Sequence, residues 1–201
     1  MRELRVDDTS YPILRHLTLP VVAITTSAGG RSNGMIANSA QRASLVPSLP
    51  RVSMYVSKPN YTHDLIAASG VFGLHLLRRD QWELIWHLGL QSGRDVDKLA
   101  ALPNRPGATG CPLLTDVAAA FECRVINTMD AGAATFFLGE IVDVRQQDCD
   151  EVMTSEFFRA HMPADKKRVY EARLAHAMEY LEPLARNVEA GRSWGGPTAR
   201  P

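Results

Sequence analysis

Strand-forming runs follow one another through the first part of the chain with only turn letters between them. Pro20 to Thr26 is a continuous apolar, β-branched run, and Ser27-Ala28-Gly29-Gly30 is a turn. Asn33 to Ser39 follows as a loop or short strand, and Arg51 to Ser57 alternates, with Val52, Met54 and Val56 on one face. A parallel neighbour needs a crossover connection of about a dozen residues or more, and these early strands lack one. They therefore read as antiparallel, with Arg51–Ser57 half-buried. Some six such strands with short helices between them predict a closed or nearly closed β-barrel rather than a doubly wound sheet.

The helices come later and are punctuated more clearly. Residues 59–70 predict a short helix with Pro59 near its start, Thr62 as cap, Leu65 and Ile66 facing inward and Gly70 as the stop. A strand over Val71–Leu77 leads to a second helix near 79–90, whose Trp82, Ile85, Trp86 and Gly89 recur at helical spacing and are assigned to a core or dimer seam. Residues 91–116 are loop-like apart from a short helical candidate, Asp95–Leu102. Phe121, Cys123 and Val125 alternate, and beyond the turn at Asp130-Ala131-Gly132 a long strand from Thr135 to Arg145 completes a hairpin. Asp165–Val188 carries Tyr170, Leu174, Met178, Leu181 and Val188 along one stripe that packs on something, a second subunit being one choice; Pro183 is expected to kink or break this helix. The organisation expected is an N-terminal extension (1–14), a barrel domain (15–148), a C-terminal helical extension (149–190) and a disordered tail (191–201).

Composition mainly removes alternatives. Lys plus Arg number 22 and Asp plus Glu 22, so there is no net positive charge to neutralise a phosphate backbone, which argues against nucleic acid. Met1 to Asp8 has no apolar signal core, and no run reaches the roughly eighteen apolar residues of a membrane helix. A cytoplasmic protein without a membrane partner is expected. Cys111, Cys123 and Cys149 are widely spaced and read as free thiols rather than a disulfide framework or zinc ribbon. The six histidines form no metal-binding pair, so no metal is expected. Gly-x-Gly-x-x-Gly after the first strand, the P-loop and the Gly-x-Ser-x-Gly elbow are all missing, which disfavours a Rossmann dinucleotide, a P-loop nucleotide and acyl-transfer hydrolysis.

Asn33-Gly34-Met35-Ile36-Ala37-Asn38-Ser39, Ala43-Ser44-Leu45-Val46-Pro47, Ser57-Lys58-Pro59-Asn60-Tyr61-Thr62, Ser69-Gly70-Val71-Phe72 and Ser92-Gly93-Arg94-Asp95-Val96-Asp97-Lys98 stand in a distinctive order. With Phe121–Val125 and Phe137–Val142 they resemble the flavin-reductase-like family over roughly residues 15–148. The resemblance implies a mainly β (α+β) fold: an antiparallel, Greek-key split β-barrel of the FMN-binding type with short inserted helices. It also implies a homodimer holding FMN, or FAD, without covalent attachment, with NAD(P)H as transient electron donor. Carried over by position, the backbone of Met35, Ile36, Ala37, Asn38 and Ser39 would meet the pyrimidine edge of the flavin, where amide donors oppose the charge that collects on reduction. Ser44 would reach the ribityl or phosphate end. Lys58, Tyr61 and Thr62, at a helix start that favours anions, would hold the phosphate.

Three departures accompany the match. Gly132-Ala133-Ala134 stands where the family commonly has Gly-Asp-His, removing the imidazole near the nicotinamide position. Val46-Pro47-Ser48-Leu49-Pro50 replaces an acidic residue and adjacent prolines, and His75 stands in place of asparagine, either as a stand-in catalytic histidine or as part of the barrel wall. The leading expectation is hydride transfer from NAD(P)H to flavin, with reduced flavin passed to a partner monooxygenase. The alternatives are a flavoprotein with fixed FMN acting on a small organic substrate, and a non-enzymatic flavin-binding or structural dimeric barrel.

Overall fold

The computed structural model describes residue 17 and residues 19–147 and 151–187. The expected N-terminal extension, the tail 191–201, Cys149 and Val188 lie outside the described residues. β1 (Val22–Ala28) and β2 (Arg31–Ala37) form a hairpin across Gly29-Gly30, whose φ angles of 56° and 75° belong to the tight turn that matches the twist of antiparallel strands. β3 (Gln41–Arg42) and β4 (Arg51–Ser57) precede α1 (Tyr61–Ser69), β5 (Val71–Leu76) and α2 (Trp82–Gly89). A small ribbon, β6 (Asn104–Pro106) with β7 (Pro112–Leu114), leads to the long hairpin β8 (Ala119–Asp130) and β9 (Ala134–Gln146). α3 (Ser155–His161) and α4 (Ala164–Ala185) close the described chain.

The main sheet has seven strands in the order β2-β1-β5-β8-β9-β4-β3, and each pairing is antiparallel. Its two edge strands, β2 and β3, are consecutive in sequence and joined by Asn38-Ser39-Ala40 alone. Such a link spans at most about 14 Å, so the sheet must curl until its edges approach. The result is a barrel left open along one seam, which is the split-barrel architecture. Alternation along β1 and the residue before it, Val21, then divides this segment between two apolar layers. Val22 and Ile24 face the barrel interior with Met54, Ile66, Phe72 and Phe137, while Val21 and Ala23 face an outer layer with Leu77, Ile85, Trp86 and Leu88. β1 is a continuous apolar run because both of its faces are covered.

α2 delivers both tryptophans to the outer layer, as the core assignment requires. Trp82 stacks on Trp86 at 5.6 Å and on Phe158 of α3 at 5.7 Å, and Tyr170 of α4 meets Phe158 edge-on at 5.7 Å. The segment before α3 is tied to the barrel by Val21 N–H donating to Met153 O (2.8 Å) and Met153 N–H donating to Leu77 O (2.8 Å). The C-terminal helices thus pack on their own chain, although no α4 side chain is fully buried.

Three local expectations are corrected. Asp95–Leu102 is a series of turns: the Asp97 carboxylate accepts from Leu99 N (3.0 Å) and Ala100 N (3.1 Å), a side-chain competitor to helical bonding. Thr62 is not the cap of α1; Asn60 is, in an extended conformation, and Thr62 lies buried inside the helix. Pro183 does not break α4 at its own position: it lies inside the helix, which runs on to Ala185.

Candidate functional site

A polar cleft of about 280 Å³ opens where β2, the start of α1, the end of α2 and the following loop meet. Asn33, Met35 and Ile36 supply its β2 wall, Tyr61 and Thr62 its α1 wall, and Gly93, Arg94 and Lys98 the loop side. Asn33 Nδ2 donates to Thr62 Oγ1 at 2.9 Å, joining edge strand to helix, and both residues are buried. Asn33 Oδ1 is buried without a partner. A Cβ on Gly93 would lie 2.0 Å from that oxygen, so only glycine lets the loop close over it.

Cations gather around this cleft. The Arg94 guanidinium lies 5.1 Å above the Tyr61 ring, donates to Pro59 O (3.0 Å) and pairs with Asp64 (2.9 Å). Lys98 is buried and donates to Leu88 O (2.8 Å) and Gln91 O (3.2 Å), holding carbonyls at the end of α2 and just beyond it; desolvation lowers its pKa to about 8. Arg94 and Lys98 carry the site's charge, and neither they nor Asn33 and Gly93 are among the binding residues assigned by position. For Gly93, Arg94 and Lys98 the signal is the Ser92–Lys98 segment, which has a place in the order but no role; Asn33 heads the Asn33–Ser39 segment, of which only Met35 to Ser39 are assigned.

The nine sequence-assigned binding residues do not share one cavity. Met35, Ile36, Tyr61 and Thr62 line the polar cleft. Ala37, Asn38 and Ser39 continue along the seam, where Ser39 Oγ donates to Tyr55 O at 2.7 Å. Ser44 lies at a separate, mostly apolar cavity of about 480 Å³ walled by Val22, Leu74, Leu76, Phe121 and Ile141; its Oγ accepts from Val46 N at 3.1 Å. Lys58 stands at the far end of β4, where its ammonium meets the Asp130 carboxylate at 2.9 Å and its N–H donates to Ala133 O at 2.9 Å. It therefore sits beside the Gly132-Ala133-Ala134 turn.

His75 belongs to the barrel wall. Its Nδ1–H donates to Ala23 O (3.1 Å) and its Nε2 accepts from Leu114 N (3.0 Å); complete burial lowers its pKa to about 4. With both ring nitrogens engaged, it offers no atom to a substrate, which corrects the catalytic alternative. The His63 imidazole does lie beside the Gly132-Ala133-Ala134 turn, its Nε2 2.8 Å from Thr135 Oγ1. Burial raises the Cys111 thiol to about 12 and pushes Cys123 up as well, so neither is a thiolate near neutrality. Among the described residues no group of three or more His, Cys, Asp and Glu side chains could hold a metal, and no helix is long and apolar enough to cross a membrane.

An antiparallel barrel with an open seam and a polar cleft beside its edge strand defines a class of ligand-binding split barrels. The chain belongs to the flavin reductase like domain family, which it matches over residues 14–164. It is 32% identical over 147 residues to the high molecular weight rubredoxin of Moorella thermoacetica, covering 72% of this chain and 63% of that protein. It is 32% identical over 133 residues to the ferric-chelate reductase (NAD(P)H) of Archaeoglobus fulgidus, covering 65% and 78%. Among solved structures, the NADH:FAD oxidoreductase of Streptomyces globisporus superposes with a TM-score of 0.66 at 26% identity, covering 77% of this chain and 93% of that one.

Proposed function

We propose that the protein is a flavin-dependent oxidoreductase that binds FMN, with FAD as the alternative, and accepts hydride from NAD(P)H. The observation that carries this reading is the free edge of β2. It pairs with β1 on one side only, so alternate backbone groups from Asn33 to Ala37 point away from the sheet, beside the polar cleft. When bound, the flavin supplies the hydride chemistry. The chain's own work is to bind, orient and stabilise: edge amides of Met35 to Ser39 oppose the negative charge that reduction places on the pyrimidine side. Lys58 and the start of α1 receive the phosphate end. Two of the relatives described above are named as nicotinamide-dependent reductases, which supports the donor. A homodimer, and delivery of reduced flavin to a partner monooxygenase, belong to the same reading.

A second reading, fixed FMN acting on a small organic substrate, is favoured by the apolar cavity of about 480 Å³, a volume ordinary for small-molecule sites. The test is the visible spectrum of the purified chain with added FMN, followed by anaerobic mixing with NADH or NADPH. Bleaching supports the reductase, and bound flavin that does not bleach supports the second reading. A protein that binds no flavin refutes both.

A further inference from the structure

We infer that the apolar cavity of about 480 Å³ is a binding site for an apolar monocarboxylate, whose charged end is held at the cavity mouth by Arg42. The inference deepens the second reading above by naming its substrate class, and it rests on that reading for turnover only, not for binding. β3 is the last strand of the sheet and is bonded to β4 alone. Within that pair Arg42 stands directly opposite Val52, and opposed residues of an antiparallel pair project from the same face. Val52 is buried in the barrel interior and forms part of the cavity wall. Arg42 is therefore carried on the cavity's face of the sheet, and its exposure places it at the entrance rather than in the depth.

The cavity carries charge of one sign only. Arg42 and Arg51 line it, and among the described residues no Asp or Glu does. Neither guanidinium has a carboxylate partner among the described residues; Glu140, directly across from Arg51 on β9, forms no ion pair with it. Arg51 Nε is buried without an acceptor, an orphaned donor in a residue of the cavity lining. A buried N–H of that kind costs free energy until an acceptor reaches it, and a carboxylate brings two oxygens that match a guanidinium fork. The remaining walls decide what the carboxylate must carry. The side chains of Val22, Leu74, Leu76, Phe121 and Ile141 offer neither donor nor acceptor, so a second polar group deep in the cavity would lose its water without replacement. Leu45, 82% exposed, extends the apolar lining to the entrance. The volume is ordinary for a small-molecule site, which suits a short alkyl chain or a single aromatic ring behind the carboxylate.

The experiment is calorimetric titration of the flavin-free protein with two matched pairs, hexanoate against hexanol and phenylacetate against phenylethanol, repeated after addition of FMN. Wild type should bind the acid of at least one pair about tenfold or more tighter than its alcohol, and the pair that does so tells an alkyl from an aryl ligand. Arg42→Gln should weaken that acid about tenfold and leave the alcohol unchanged, with partial recovery in Arg42→Lys. Arg105→Gln, which removes an exposed cation from the lining of a different cavity, should change neither. Ala40→Leu puts extra volume into the cavity lining and should weaken acid and alcohol alike. If the protein takes up no flavin but shows the Arg42-dependent preference, the flavin reading fails and the carboxylate site stands. If FMN binds and bleaches but neither acid binds better than its alcohol, the flavin reading stands and this inference is overturned. Binding of no member of either pair, the result expected were the mouth covered by a second copy of the chain, overturns it too, as does a preference that survives Arg42→Gln.

Discussion

His75 offers the sharpest test of the fold because its ring is a two-ended strut across the barrel wall. Its pKa is held near 4, against about 6.5 for an exposed imidazole, first by desolvation, with the Ala23 carbonyl pulling weakly the other way. The folded protein therefore binds fewer protons at this site than the unfolded chain between those two values. Stability is fully present above the ordinary histidine range and falls as the pH drops from about 6.5 towards 4. Integrated from about pH 7 to about pH 5, this one group removes about 2 kcal/mol. With a urea slope of about 2 kcal/mol/M, the unfolding midpoint should move down by about 1 M. The assay is urea unfolding at fixed protein concentration at both pH values, for wild type and His75→Gln. Other histidines and the carboxylates cancel in the comparison, so the variant should be less stable near neutrality but lose most of this pH dependence. Equal pH dependence in the two proteins would refute the assignment of His75 as a buried neutral strut.

Lys58→Ala should cost less than about 1 kcal/mol of stability, because its ion pair with Asp130 is largely solvated, but should weaken FMN about tenfold if the ammonium meets the phosphate; thermal unfolding and flavin titration separate the two. Thr62→Ala removes the acceptor for Asn33 Nδ2 inside the protein and should destabilise by about 1–3 kcal/mol, read by chemical denaturation. Gly93→Ala puts a methyl group against Asn33 Oδ1 and should cost about 1–3 kcal/mol while weakening ligands of the polar cleft; unchanged stability would mean that the loop does not close there.

The strands were legible where one physical signal dominated. The alternation in Arg51–Ser57 matches β4 residue for residue, with Val52, Met54 and Val56 buried, and the Asp130 turn does join the two longest strands. What escaped was structure whose signal is short or lies elsewhere in the chain. α3 has only seven residues, although its N-cap Thr154, accepting from Phe157 N at 3.1 Å, was a readable start. β3 and the β6–β7 ribbon run to two and three residues, too short for any period to register. Residues 95–102 have a helical composition, but Asp97 bonds its own backbone and Lys98 turns inward to carbonyls of another segment. Tertiary partners of that kind leave no trace in local pattern.

The candidate site shows the same division, and it also explains why separated motifs travel together. Asn33, Thr62 and Gly93 come from three segments that were grouped only by their order along the chain. In the fold they form one contact: the Asn33 amide donates to Thr62 Oγ1 with its nitrogen, and its oxygen lies where a Gly93 side chain would stand. Changing any one of the three disturbs the other two, since a larger residue at 93 displaces the amide and a smaller one at 62 leaves its N–H unpaired. The wall of the polar cleft is therefore a single hydrogen-bonded unit spanning an edge strand, a helix start and a loop. Local periodicity cannot reveal such a unit, whereas the ordered recurrence of its three pieces can.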